Sequence, residues 1–303
     1  MTTPTTTARP VVRARDVTMS YGGIDVLHGV DLDIHRSEVF ALLGPNGAGK
    51  TTTVEILEGF RRRSAGEVSV LGADPERGDD AWRGRIGLVL QSWRDHRRWR
   101  VAELLTHFAT YYPDPRDPAA LLALVGLTGQ AGQQVDRLSG GQRRRLDVAL
   151  GIVGRPELFF LDEPTTGFDP EARHEFHVLV ERLAREEGVT VLLTTHDLVE
   201  AERLADRIAM LVGGRIRACG TPTELALRAA AQAEVRWTAD DGTPRRERTE
   251  DPSRLVWELH RDADGPIAGL EVRRPTLEDT YLHMVHQEND GTDGAVNGKV
   301  RAA

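Results

Sequence analysis

The stretch that most constrains this chain runs from Val39 through Thr51. VFALL, Val39 to Leu43, is continuously apolar, the pattern of a strand buried on both faces inside a parallel sheet. It ends at GPNGAGKT, Gly44 to Thr51, and a helix is predicted from Lys50 to Glu58 with Gly59 as its stop. Strand, glycine loop and helix in this order, with this lysine and threonine spacing, make a phosphate loop. Gly44, Pro45, Asn46, Gly47, Ala48 and Gly49 form the loop, whose backbone N–H groups wrap phosphates without side-chain interference. Lys50 reaches the β- and γ-phosphates, Thr51 offers its hydroxyl to Mg²⁺, and Thr52 adds a phosphate contact.

Composition sharpens this reading. Lys50 and Lys299 are the only lysines, and all other fixed side-chain cations are arginine, so an ammonium at position 50 is informative. With 303 residues, 40% hydrophobic and 28% charged, the chain is long enough for a large domain and a smaller one. A net charge of −8 disfavours nucleic acid and anionic lipid as direct partners. One cysteine, Cys219, excludes an internal disulfide and a cysteine-rich zinc site. Met1 to Arg15 lacks the apolar segment of a secretory signal, and no apolar run approaches the roughly 20 residues of a spanning helix.

A second buried strand, Leu158 to Leu161, delivers Asp162 and Glu163 to the carboxyl edge of the sheet, where open α/β sheets bind ligands. Asp162 is placed to hold Mg²⁺, and Glu163 to polarise a water attacking the γ-phosphate. Ser139, Gly140, Gly141 and Gln142 open a helix predicted to reach Gly154, another N-terminus suited to an anion. Asp169 and Pro170 cap a helix to Glu186, and Val189 to Thr194 forms a further buried strand ahead of His196.

LSGGQ at Leu138 to Gln142 and LFFLDEP at Leu158 to Pro164, with the phosphate loop upstream, resemble the ATP-binding-cassette (ABC) family over roughly residues 10 to 220. The resemblance implies an α/β phosphate-loop fold: a RecA-like core, an antiparallel β subdomain and a helical subdomain. It implies that His196 is the switch histidine at the γ-phosphate, and that Tyr21 stacks on adenine. It implies that Gln91 senses Mg²⁺ or water and reports to the transport partner, and that Asp169 lies in a loop passing between subunits, here with Phe168 where leucine is usual. The family's signature serine and glycines bind the γ-phosphate of a second copy, so a homodimer closing over two ATP molecules is implied. A separately encoded permease, and a cytoplasmic position on the inner face of the membrane through it, are implied as well.

Domain boundaries are expected at a disordered 1–9, an ATPase domain 10–220, a small α+β domain 221–285 and a disordered tail 286–303. In the small domain Thr221 and Glu224 have capping-box spacing, Glu234 to Trp237 and Leu255 to Leu259 read as strands, and a helix is expected after Pro275. PTLEDTYL, Pro275 to Leu282, resembles the closing motif of the daunorubicin-resistance-like exporter branch. Trp93, Arg94, His96, Arg97, Arg98, Trp99 and Arg100 have the composition of an interface, in the region through which the family couples to membrane subunits. Two other readings remain open: a soluble cassette acting on ribosomes or DNA, and a small-molecule kinase. Against the first, the chain has neither two cassettes nor a long coiled coil. Against the second, Glu163 and His196 favour water as the acceptor.

Overall fold

The computed structural model describes residues 9–89, 96–230, 233–239, 241–262, 265–274 and 276–286. Gln91, Trp93, Arg94 and Pro275 lie outside the described residues. Two compact units are formed, Met1–Arg217 and Ala218–Ala303.

In the first unit, β1 (Val12–Tyr21) and β2 (Ile24–Ile34) pair antiparallel, and β3 (Val39–Leu43) leads into α1 (Lys50–Leu57). β4 (Ala65–Val70) returns to the other edge of β1, giving a sheet of order β2-β1-β4. Then follow α2 (Asp80–Arg83), β5 (Ile86–Val89), α3 (Val101–Ala109), α4 (Pro118–Leu124) and α5 (Gly140–Ile152). α3 stops at Ala109, where Thr110 to Tyr112 close into turns. Asp117 caps α4, accepting from Ala120 N at 2.9 Å. Leu104, Leu105, Leu121, Leu122 and Leu146 are buried here, each contributing about 1.5–3 kcal/mol by leaving water.

The core sheet has the order β5-β6-β7-β3-β8-β9, built with β6 (Leu158–Asp162), β7 (Thr190–Thr195), β8 (Arg207–Val212) and β9 (Arg215–Gly220). Strands β5, β6, β7, β3 and β8 run parallel, neighbour to neighbour. Every residue of β3 and β7 is buried; β3 is accordingly apolar throughout, and β7 carries apolar Val191–Leu193 between threonines. α6 (Pro170–Arg185) and α7 (Leu198–Leu204) connect this sheet. Because β3 lies between β7 and β8 and next-but-one to β6, the loops after β3, β6 and β7 emerge together at one edge.

The second unit holds α8 (Pro222–Ala230), β10 (Ala233–Thr238), β11 (Pro244–Thr249), α9 (Pro252–Asp262) and β12 (Glu271–Arg273). Its sheet order is β11-β10-β12, antiparallel throughout. Residues 277–286 are helical, opened by Thr276 and Asp279, which exchange backbone N–H bonds at 3.0 and 3.1 Å. Thr221 and Glu224 do the same for α8. Leu255 to Leu259, expected as a strand, is instead the middle of α9. Alternating Leu255, Trp257 and Leu259 suggested period two, but Trp257 is 61% exposed while Leu255, Val256 and Leu259 share the sheltered face. Asp251 accepts from Arg254 N at 3.0 Å and Pro252 starts the first turn, so the local chemistry selects a helix.

Candidate functional site

The phosphate loop turns on left-handed backbone at Gly47 (φ 82°) and Gly49 (φ 99°), the latter serving as N-cap of α1. A side chain at Gly49 would also collide with Leu27 Cδ2 at 2.6 Å, so glycine is required on two counts. Gly44 N donates to Thr195 O at 3.2 Å, tying the loop to the end of β7. Lys50 bends back over it: Nζ donates to Gly44 O at 2.7 Å and Pro45 O at 3.3 Å, and pairs with Glu163 Oε1 at 3.1 Å. Both side chains are sheltered, 6% and 12% exposed, so this charge pair is weakly screened by water.

Glu163 occupies left-handed backbone with φ 46°, an uncommon conformation for a non-glycine residue that costs on the order of 1–3 kcal/mol. Its N–H donates to Thr194 Oγ1 at 3.0 Å, and its Oε2 lies 2.7 Å from His196 Nδ1. Asp162, one residue earlier, accepts from Thr194 Oγ1 at 2.5 Å through Oδ1 and from Thr51 Oγ1 at 3.5 Å through Oδ2. Tyr21 reaches the same place from the end of β1, with Oη 3.4 Å from Thr52 Oγ1 and the Arg61 guanidinium 5.0 Å from its ring centre.

One cavity of about 360 Å³ is walled by Tyr21, Asn46, Lys50, Thr51, Thr52 and Glu163 among others, while Asp162 and His196 stand behind Thr51 and Glu163 and are not among its walls. Ser139, Gly140, Gly141, Gln142 and Asp169 are not among its walls. They stand at helix N-termini instead. Ser139 Oγ accepts from Gln142 N at 3.2 Å while Gln142 Oε1 accepts from Ser139 N at 3.0 Å, a reciprocal cap on α5. Asp169 Oδ1 caps α6 by accepting from Ala172 N at 2.8 Å. A Cβ at Gly141 would sit 3.2 Å from that of Ala172, so the two caps are close neighbours. Phe168 packs edge-on against Phe176, with ring centres 5.9 Å apart.

Two residues near the site are not legible from motif spacing. Arg144 is buried, donating to Asp162 O at 3.0 Å and Pro164 O at 3.1 Å, and so fixes the backbone on both sides of Glu163. Burial lowers its pKa, opposed by Asp147 and Asp162. Glu58, which closes α1, has its carboxyl pushed up to about 8 by burial, with the Asp162 and Glu55 carboxylates adding to the effect.

A phosphate loop, an adjoining carboxylate pair and a facing histidine on a mostly parallel sheet define a nucleoside-triphosphate hydrolase. Residues 27–166 match the family described as ABC transporter. The chain is 37% identical over 302 residues to Nod factor export ATP-binding protein I of Cupriavidus pinatubonensis, covering 92% of this chain and 91% of the relative. It is 38% identical over 237 residues to a fluoroquinolones export ATP-binding protein of Mycobacterium tuberculosis, covering 77% and 78%. Among solved structures, cbiO1 from Clostridium perfringens, part of the ABC transporter complex cbiONQ, aligns with TM-score 0.66 and 27% identity, covering 72% of this chain and 91% of that one. An ATP-binding cassette solved as a dimer after hydrolysis, with ADP and phosphate bound, aligns with TM-score 0.62 and 25% identity over 69% and 98%. The chain belongs to the ABC transporter family as an ATP-binding subunit, an ATPase. Such subunits dimerise and work with membrane permeases. No helix among the described residues is long and apolar enough to cross a membrane.

Proposed function

We propose that this subunit drives export through a separately encoded permease, with each ATP held between the phosphate loop of one copy and the Ser139–Gln142 turn of an identical second copy. The observation that carries the reading is Glu163, bridging Lys50 of the loop at 3.1 Å and His196 at 2.7 Å, beside a cavity that Lys50 and Glu163 line and the signature residues do not. The missing anion-binding wall then comes from the partner's α5 N-terminus.

In this reading Lys50 trades its pairing with Glu163 for the β- and γ-phosphates. Glu163, held by Thr194 and His196, takes the proton of the attacking water, and His196 orients both. Tyr21 stacks adenine on the ring face opposite Arg61. Asp169 works at the junction of the two copies, and Gln91 links the site to the permease. The facing hydroxyl of Thr51 and carboxylate of Asp162 suit a hard, oxygen-seeking cation, and Mg²⁺ ordinarily completes its shell with phosphate oxygens and water. When bound, the ion neutralises charge on the transferring phosphoryl group. The relatives' export of Nod factor and of fluoroquinolones supports an amphipathic cargo of drug, antibiotic or lipid-like character. The 221–285 segment is proposed as an accessory domain, and the 96–100 segment as part of the surface that meets the permease on the inner face of the membrane.

Mixing two inactive variants tests the shared site. Lys50→Ala disables a phosphate loop. Ser139→Asp keeps a good N-cap for α5 but sets a carboxylate against the γ-phosphate. Each variant alone should be inactive, and a mixture should regain hydrolysis because each mixed dimer has one intact site. Persistent inactivity of a mixture shown to exchange subunits would refute the arrangement.

A further inference from the structure

Among the described residues the most deeply buried carboxylate is that of Glu200 on α7, only 3% exposed. Its Oε1 accepts from Thr165 Oγ1 at 2.7 Å and lies 3.2 Å from Nε2 of His177, itself 3% exposed. As a carboxylate oxygen can only accept, Nε2 is the protonated ring nitrogen of His177. A further bond comes from the Thr195 hydroxyl. Burial raises the pKa of Glu200, but the bonds from His177, Thr165 and Thr195 outweigh it and leave the group below its ordinary value.

The identity of these partners gives the arrangement its meaning. Thr165 stands two residues after Glu163, and Thr195 immediately precedes His196. His177 belongs to α6, the helix capped by Asp169. One buried carboxylate therefore bonds both loops that carry the 2.7 Å Glu163–His196 contact, and the helix that follows the inter-subunit loop. Apolar packing commonly replaces a buried ion pair at no loss of stability, so packing alone does not account for a carboxylate here.

We infer that Glu200 is a positioning residue for hydrolysis: it braces the Thr165 and Thr195 loops so that Glu163 and His196 meet over the γ-phosphate. The inference rests on the roles proposed above for Glu163 and His196. Glu200 acts on Glu163 and His196 only through their neighbours Thr165 and Thr195. Since its partners lie 35, 23 and 5 residues away in sequence, its removal frees two loops at once rather than one turn of helix.

The test is steady-state ATPase kinetics of the full chain, with equilibrium binding of Mg·ATP and unfolding midpoints. Glu200→Ala should lower kcat by about 10- to 100-fold, the scale of a misplacement near 1 Å, with KM and nucleotide affinity within about twofold. Glu200→Gln retains the Oε1 acceptor and should recover most of the loss. Thr165→Val should lower kcat in the same direction by a smaller factor, and it keeps the test decisive if Glu200→Ala folds poorly. In a His196→Ala background Glu200→Ala should cost far less than in the wild type, because both act on one geometry. A wild-type kcat for Glu200→Ala and Thr165→Val, or an equal fold-loss in both backgrounds, overturns the brace. A raised KM at unchanged kcat overturns it too. Failure of the underlying reading is distinguishable: in that case Glu163→Gln turns over normally, whatever Glu200→Ala does.

Discussion

Glu163→Gln isolates the chemical step from nucleotide binding. Glu163 is held at three points: its backbone N–H donates to Thr194 Oγ1 at 3.0 Å, Oε1 faces Lys50 Nζ at 3.1 Å, and Oε2 lies 2.7 Å from His196 Nδ1. The backbone bond does not depend on the side chain, and glutamine has the same shape, so the loop should stay in register. What disappears is the capacity to accept a proton. Loss of a general base lowers the rate by about 10²- to 10⁴-fold, or about 3–5 kcal/mol on the barrier at 1.36 kcal/mol per decade. The amide also stops competing with phosphate for the Lys50 ammonium, so affinity for Mg·ATP should hold or improve. Single-turnover hydrolysis, with separate equilibrium binding, measures the two effects. Turnover within about threefold of wild type, or binding lost in proportion to turnover, would refute the assignment.

Gly44→Ala would put a Cβ 2.3 Å from the backbone carbonyl oxygen of Leu211, which no side-chain rotation relieves, and should destabilise by about 1–3 kcal/mol or more while abolishing nucleotide binding; denaturant melts and binding isotherms measure both. Glu58, raised to about 8, binds a proton in the folded chain that the unfolded chain releases above its ordinary 4.5, so its share of stability declines as pH rises from 4.5 to about 8. Without divalent cation or nucleotide, Glu58→Gln should remove that decline and gain most over wild type above pH 8, and parallel slopes for the two proteins would contradict it. Trp99 is 36% exposed and packs against His107 with ring centres 4.9 Å apart and planes tilted by 44°. Trp99→Ala should leave basal ATPase activity unchanged but weaken its stimulation by the permease, so unchanged stimulation removes residues 96–100 from the proposed interface.

Legibility followed the range of the forces involved. Features fixed by a few adjacent residues could be read directly: the strand-loop-helix at Val39 to Leu57, the helix starts at Ser139 and Asp169, the reciprocal pair Thr221–Glu224 and the final helix. α9 was misread because a leucine-tryptophan-leucine alternation outweighed the cap and proline ahead of it. β4 and β9 escaped because their patterns carry little signal until neighbouring strands supply partners, whereas Ile208–Val212 of β8 is an apolar run of the same kind as β3. In the site, Lys50 and Glu163 could be assigned because each sits in a contiguous motif. Arg144 and Glu200 could not, since the carbonyls and hydroxyls that give them meaning lie up to 35 residues away.

The scarcity of lysine has a practical consequence once Lys50 is seen enclosed by two carbonyls and a carboxylate. An amine-acylating reagent meets only two ε-amino groups in the whole chain, so the modified peptide around position 50 becomes a footprint of nucleotide occupancy on the unmutated protein. The peptide bearing Lys299 provides the reference signal in the same mass spectrum, and ATP titrated into the reaction should shield the first while sparing the second.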